Sequence, residues 1–319
     1  MNASVLAGFV VLDLAQLITG PWCASLLGDL GAEVIKIEPP GGGEALRRIG
    51  PYVRGQSVLF LSINRHKRSL TLALDEPEGR KVLDRLIARA DVLIQNFRPD
   101  VRQAYGLDYA TVRRIKPDLV CLSVTAFGES GPYRLMPGTD HVFQGLSGLT
   151  SLSGEAGQGP LRLGVPAADM TAALYAATGV LAALLDRERT GLGQEIKLNL
   201  LDAAMAFQQT TIGQFLLTSQ PPPRTGNSSP FACPVSIFTT ADGYLSLAAF
   251  NDKFWQGLLA ALGLEDLAAD PRFQGAEDRM AHRRELEAIL GRRLAERTTA
   301  EWLDVLAAAD VPCGPVHDY

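Results

Sequence analysis

Short continuous apolar runs alternate along this chain with stretches that carry a helical repeat. Phe9-Val10-Val11-Leu12-Asp13-Leu14 is a β-rich apolar run and predicts a first strand. Gly20-Pro21 then opens a helix through Leu27 to near Gly31, with the proline in the favoured first position. Glu33-Val34-Ile35-Lys36-Ile37-Glu38 predicts a second strand. Strand, short helix and strand make a βαβ unit, which implies parallel pairing. Further strands are predicted over Ser69–Leu74, Asp91–Ile94, Leu119–Val124 and Glu195–Leu200. Between them lie predicted helices over Glu76–Ala90 (apolar at Val82, Leu83, Leu86 and Ile87), Tyr109–Ile115, Thr139–Thr150 and Leu201–Leu217. The longest spans Asp169–Arg189 and ends at Gly191, with Leu174, Ala177, Leu181, Ala182 and Leu185 as its expected buried face. The pace of alternation is that of a doubly wound sheet.

At Ser219-Gln220-Pro221-Pro222-Pro223-Arg224-Thr225-Gly226-Asn227 the composition shifts to that of a boundary loop. Beyond it come two short strands, Val235–Thr239 and Gly243–Ala249, joined by Ala241-Asp242-Gly243. Helices follow near Lys253–Leu262, Ala281–Arg297 and Thr299–Ala309. The expected organisation is an α/β chain: a large Rossmann-like domain with a parallel sheet over residues 1–220, then a smaller α+β domain over 225–319.

Composition narrows the function classes. The 319 residues are 47% hydrophobic and 20% charged, with a net charge of −5. That suits a packed globular protein and excludes nucleic acid as the principal partner, since phosphate backbones demand concentrated positive charge. One small anionic ligand remains compatible. Cys23, Cys121, Cys233 and Cys313 are far apart, form no CxxC pair, and read as buried or free thiols in a reducing compartment. With the four histidines equally dispersed, no metal site is expected. No basic residue precedes the apolar run before Leu12, and Asp13 and Gln16 interrupt it, so it reads as a strand rather than a signal peptide. The Ala172–Leu185 stretch is too short for a membrane span and contains Gly179. The expected location is cytoplasmic, with no membrane partner.

Nucleotide fingerprints are missing. The turn after the first strand, Gln16-Leu17-Ile18-Thr19-Gly20-Pro21, has one glycine where a dinucleotide motif needs three. No GKS or GKT is present, and Gly145-Leu146-Ser147-Gly148 lacks the spacing of a nucleophile elbow. Three places could carry chemistry. Asn64-Arg65-His66-Lys67-Arg68-Ser69 puts three positive charges before a strand, and Arg98 and Arg102 follow another. Together they read either as a site for a phosphorylated ligand, with Phe97 offering a face to a purine, or as a solvated basic rim. If the strands are parallel neighbours, the two groups fall at different ends of the sheet. Asp169 opens the Ala-rich helix and reads as a first-turn aspartate or as a carboxylate nucleophile. Asp140 and His141 form a polar pair suited to capping or proton transfer.

Taken in order, several segments resemble the class III (formyl-CoA transferase-like) CoA-transferase family. They are Val11-Leu12-Asp13-Leu14 with Gly20-Pro21, Leu30–Pro40, Asn64–Ser69, Asn96-Phe97-Arg98-Pro99, Phe127–Tyr133, Gly164-Val165-Pro166 with Asp169, Thr190–Gln194, and Val311–Val316. The resemblance covers essentially the whole chain. It implies an interlocked homodimer, coenzyme A bound as acyl-CoA, a small carboxylic acid as second substrate, and no metal. It places CoA contacts at Leu17, Ile18, Leu72, Asp75, Asn96 and Phe97, with Arg98 adjoining. It implies Asp169 as nucleophile: attack on an acyl-CoA thioester, a mixed anhydride, then an aspartyl-CoA thioester that passes CoA to the acceptor. Asp140 is the accompanying catalytic candidate.

Departures from the family pattern shape the alternatives. Ala104 stands where relatives often carry a basic residue, with Arg102 as a candidate substitute, and Pro39 stands where arginine is common. The racemase branch has a histidine before the aspartate that aligns with Asp140. Here that position is Thr139, while His141 follows. This favours a transferase over an α-methylacyl-CoA racemase using His141 or Asp140 with Asp169, and over a non-catalytic CoA-binding protein. Asn227–Phe231 is the nearest counterpart of the family's glycine-rich lid, and Arg162 and Arg224 are candidates for a second carboxylate. Relatives usually continue past the position of Tyr319 and return to the large domain.

Overall fold

A computed structural model describes residues 4–319. The chain forms two compact units. The first comprises residues up to Thr150 together with Arg162–Leu216; the second comprises Ser151–Leu161 with Leu217–Tyr319.

The first unit is built on β1 (Val10–Asp13), α1 (Thr19–Asp29) and β2 (Glu33–Glu38). A two-residue ladder, β3 (Tyr52–Val53) with β4 (Gln56–Ser57), and the short α2 (Val58–Ile63) lead to β5 (Lys67–Thr71). Then come α3 (Pro77–Ile87), β6 (Val92–Gln95), α4 (Pro99–Ala104), α5 (Tyr109–Ile115) and β7 (Val120–Thr125). The short α6 (Asp140–Leu146) and α7 (Leu149–Leu152) precede the 24-residue α8 (Ala167–Thr190), after which β8 (Glu195–Asn199), α9 (Leu200–Ala206) and α10 (Gln209–Thr218) follow. The six long strands form one parallel sheet in the order β5-β2-β1-β6-β7-β8. The order turns outward in both directions from β1 and β6, so the gap between their carboxyl ends is the topological switch point where such sheets hold ligands.

Both faces of the sheet are covered. Val11, Cys23, Ala24, Val92, Val120 and Ala176 pack on the face shared with α1 and α8. Leu12, Leu83, Ile87, Leu93 and Val112 pack on the face shared with α3 and α5. Burial on both faces explains the continuous apolar runs in β6 and β7.

Several expectations are corrected. Strand β5 starts two residues before the expected Ser69 and ends three before the expected Leu74. Pro21 is the third residue of α1, not the first. The expected helix over Leu201–Leu217 is two, broken at Phe207-Gln208. Helices α2 and α4 were not anticipated. Helix α8 buries Ala172, Ala173, Ala176, Val180, Ala183 and Leu184, while Leu174 and Leu185 are 56% and 67% exposed. The alanines face inward because α8 packs against both α1 and the sheet, where small side chains permit a close approach. Helix α8 also exceeds the expected length and, by length and composition, is apolar enough to cross a membrane; its alanine face is instead buried in the first unit. It ends as anticipated, with Gly191 left-handed at φ 69°.

The second unit contains β9 (Val235–Thr239) and β10 (Tyr244–Ala248) as an antiparallel hairpin, extended by β11 (Cys313–Pro315). Its helices are α11 (Asp252–Leu262), α12 (Ala276–Ala281), α13 (Arg283–Leu294) and α14 (Thr299–Ala308). They enclose Trp255, Leu258, Leu290, Phe273 and Trp302. Helix α14 starts with a capping box: Thr298 and Glu301 satisfy each other's backbone N–H groups.

Candidate functional site

At the switch point the chain leaving β1 makes a turn, Ala15 to Ile18, whose polar groups are taken up by side chains. The Ala15 N–H donates to Asp13 Oδ1 at 3.0 Å, and its carbonyl accepts from Lys36 Nζ at 2.7 Å. Asn96, in the turn after β6, clasps Gln16 on both sides: its Oδ1 accepts the Gln16 N–H at 2.9 Å and its Nδ2 donates to the Gln16 carbonyl at 2.8 Å. Gly20 lets α1 start close against this turn, since a Cβ there would lie 2.3 Å from the Ala15 Cβ. Thr19, the first residue of α1, donates its hydroxyl to Asp169 Oδ1.

Asp169 is the third residue of α8. The backbone N–H groups that a first-turn aspartate would ordinarily help satisfy are taken by another residue. Asp140 Oδ1 accepts the N–H of Ala168 at 2.7 Å and of Asp169 at 3.2 Å. Its Oδ2 accepts from Gln144 Nε2 at 2.7 Å. Gln144 in turn donates to the Val165 carbonyl and accepts the Leu163 N–H, tying the approach to α8. Asp140 therefore does the capping, and the Asp169 carboxylate is left with Thr19. Burial pushes the Asp169 carboxyl up to about 6; the Thr19 hydrogen bond opposes this and the Asp140 charge adds to it.

Asp169 lines a cavity of about 580 Å³ together with Leu17, Ile18, Asn96, Phe97, Arg98, Asp140 and His141. Arg134 and Arg162 bring positive charge to the same walls. A second cavity of about 370 Å³ is lined by Leu72, Asp75, Pro39 and Tyr105. Gln16 and Phe97 line both, so the two cavities meet there. Phe97 stands edge-on to Tyr105 with ring centroids 5.6 Å apart. The candidate residues thus divide: Leu17, Ile18, Asn96, Arg98, Asp140 and Asp169 surround the larger cavity, Leu72 and Asp75 the smaller.

The basic run Asn64–Ser69 is not brought to this site, which corrects the reading of it as a phosphate cradle; Arg65, His66 and Arg68 stand on a solvated rim, as the alternative reading expected, while Lys67 is buried. Lys67 lies at the amino end of β5, away from Arg98, and its Nζ donates to Asp13 Oδ2 at 2.8 Å, Asn64 Oδ1 and the Pro21 carbonyl. Arg65 pairs with Asp29, and Arg68 with Glu33. Arg102 is likewise committed, lying 2.5 Å from Glu129, so it does not replace the missing basic group at Ala104. Arg224 donates to the carbonyls of Ser151 and Gln158 within the second unit. Burial raises all four cysteine thiols, Cys121 to about 12 and Cys233 to about 11, so none is poised as a thiolate nucleophile.

Sequence reasoning missed Lys36 and Glu44. Lys36 sits in an apolar strand and Glu44 in a loop, and their burial at 1% exposure each has no signature in residue order.

Comparison with known proteins agrees with the architecture. The model of the family described as CoA-transferase family III matches residues 6–319. The acetyl-CoA:oxalate CoA-transferase of Acetobacter aceti is 37% identical, over 98% of this chain and 80% of its own length. The succinate–glutarate CoA-transferase of Agrobacterium fabrum is 36% identical, again over 98% and 80%. Among solved structures, a CAIB/BAIF family protein from Brucella suis superposes with a TM-score of 0.88 at 37% identity, covering 98% of this chain and 84% of the other. A hypothetical protein from Mycobacterium tuberculosis gives 0.88 at 34% identity, covering 99% and 85%.

Proposed function

The chain belongs to CoA-transferase family III, and from that premise we propose that it moves CoA from an acyl-CoA to a free carboxylic acid through an aspartyl-CoA thioester on Asp169. Support comes from one observation above the rest: Asp140 caps α8, which leaves the Asp169 carboxylate on a cavity wall, hydrogen-bonded to Thr19 and released from capping to act as a nucleophile. A carboxyl raised to about 6 is still largely ionised at neutral pH and is more basic than an ordinary aspartate.

The chemistry balances without water or metal. An Asp169 oxygen attacks the thioester carbonyl, the C–S bond breaks, and CoA leaves as thiolate from a mixed anhydride. The thiolate attacks the Asp169 carbonyl carbon, and the donor's acid departs as carboxylate. The acceptor carboxylate attacks the aspartyl thioester and expels thiolate, which then attacks the acceptor's acyl carbon and frees Asp169. Each step exchanges one acyl bond for another, so the thioester's energy is retained, and holding the partners together supplies the rate. In this reading the acyl group and pantetheine arm lie in the larger cavity, and the adenine end passes Phe97 into the smaller one. Two chains pair in it as well; the exposed apolar residues Leu174, Tyr175 and Leu185 of α8 support that, and light scattering at micromolar concentration tests it.

The mechanism is tested by incubating the protein with succinyl-CoA alone and mapping the product by mass spectrometry. A hydroxylamine-labile CoA adduct on Asp169 is expected. Exchange activity with no adduct at Asp169 would overturn it. Deuterium entering the acyl α-carbon without any acceptor acid would instead favour racemisation by His141 or Asp140 with Asp169.

A further inference from the structure

Leu17 holds a left-handed backbone at φ 64°, a conformation that strains a residue with a Cβ. Such strain persists only where surrounding contacts over-determine it. The contact here is Glu44. Its Oε1 accepts the Leu17 N–H at 2.6 Å, and its Oε2 lies 3.2 Å from Lys36 Nζ. Lys36 also holds the Ala15 carbonyl and pairs with Asp13. Asp13 Oδ2 receives Lys67 as well as Lys36. Burial opposes ionisation of Asp13, yet the two lysines keep its carboxyl below the usual range.

We infer that Glu44 is a positioning residue for CoA binding: by accepting the Leu17 N–H while anchored on Lys36, it fixes the Gln16–Ile18 turn that walls both cavities. A glycine-rich turn reaches such a shape through freedom at φ > 0. This turn reaches it through a buried carboxylate clamp, which explains how one glycine suffices. The inference rests on the proposed CoA site only for its consequence; the clamp itself is a property of the free chain.

The test compares Glu44→Ala, Glu44→Asp and Glu44→Gln. Gln keeps an acceptor for Leu17. Asp keeps the charge for Lys36 but, one methylene shorter, withdraws that acceptor, and it carries the test if the alanine variant does not fold. Amide exchange of Ala15–Ile18 in the free protein is expected to quicken in Ala and Asp and to stay near wild type in Gln. CoA affinity, read by calorimetry, is expected to fall roughly tenfold in Ala and Asp and less than about threefold in Gln. Repeated on a Leu17→Gly background, where the left-handed turn is unstrained, the loss from Glu44→Ala is expected to shrink to about threefold or less. Unchanged turn exchange in Ala or Asp, equal losses in Asp and Gln, or an equal loss on both backgrounds would each overturn the clamp. Absence of CoA transfer in the wild type would strike the proposed function and leave the exchange result standing.

Discussion

The interior of the second unit is Trp255, Trp302, Phe273 and leucines, and its buried charge, Arg279, is spent on the carbonyls of Cys233, Phe273 and Gln274 and on Asp252. Around the β1 turn of the first unit, Asp13, Lys36, Glu38 and Glu44 are each no more than 2% exposed. Apolar packing is non-directional and tolerates rearrangement of similar volume. Buried ion pairs recover little net stability beyond their desolvation, but each demands its partner at one distance and angle. The difference teaches where geometry matters. Charges are buried where a turn and a carboxylate must be aimed, and apolar residues fill the interior where only volume is required.

That contrast predicts four outcomes, from the largest effect to the smallest. Asp169→Ala is expected to lower labelled-CoA exchange by about 10⁴-fold or more while the variant unfolds no lower than the wild type; retained exchange would remove Asp169 from the chemistry. Trp302→Ala, at the heart of the apolar interior, is expected to cost about 3–5 kcal/mol of stability in denaturant melts, and a loss below about 1 kcal/mol would break the contrast. Asp140→Ala removes the cap from α8 and frees the Ala168 and Asp169 N–H groups to turn the Asp169 carboxylate inward. A fall in kcat of roughly 10–100-fold with a smaller change in the KM for acyl-CoA is expected, and a change in KM alone would contradict it.

The smallest effect is a dependence on pH. The folded Asp169 carboxyl is raised from 3.8 to about 6, so the folded state holds the extra proton between those values. Stability is therefore lost as pH rises through that window, and the burden is complete above it. Asp169→Asn is expected to melt a few degrees above wild type at pH 8 and to lose part of that advantage at pH 5. Wild-type kcat/KM is expected to rise along a limb near pH 6. An advantage over wild type no larger at pH 8 than at pH 5 would show that Asp169 is not the buried acid described.

Much of the architecture was legible because it follows from local pattern. Strand β2 matches its apolar run residue for residue, and α5 and the glycine stop of α8 fall where their signals lie. The order of short motifs pointed to the family. What was not legible depends on neighbours distant in sequence. The inward face of α8 is its alanines because α1 and the sheet approach it. The basic run at Asn64–Ser69 looks like a ligand site until Asp13, Asp29 and Glu33 are seen to occupy it.

By itself, then, the sequence determined the alternation of strand and helix, the division of composition near the proline triplet, and Asp169 as a residue worth weighing, since periodicity and turn chemistry act over a few residues. Only the tertiary structure decided which carboxylate caps α8 and which is left free, and which charges are buried. Those outcomes depend on Asp140 meeting Asp169 and Glu44 meeting Leu17, pairings made by three-dimensional proximity, where desolvation and directional hydrogen bonds set the roles.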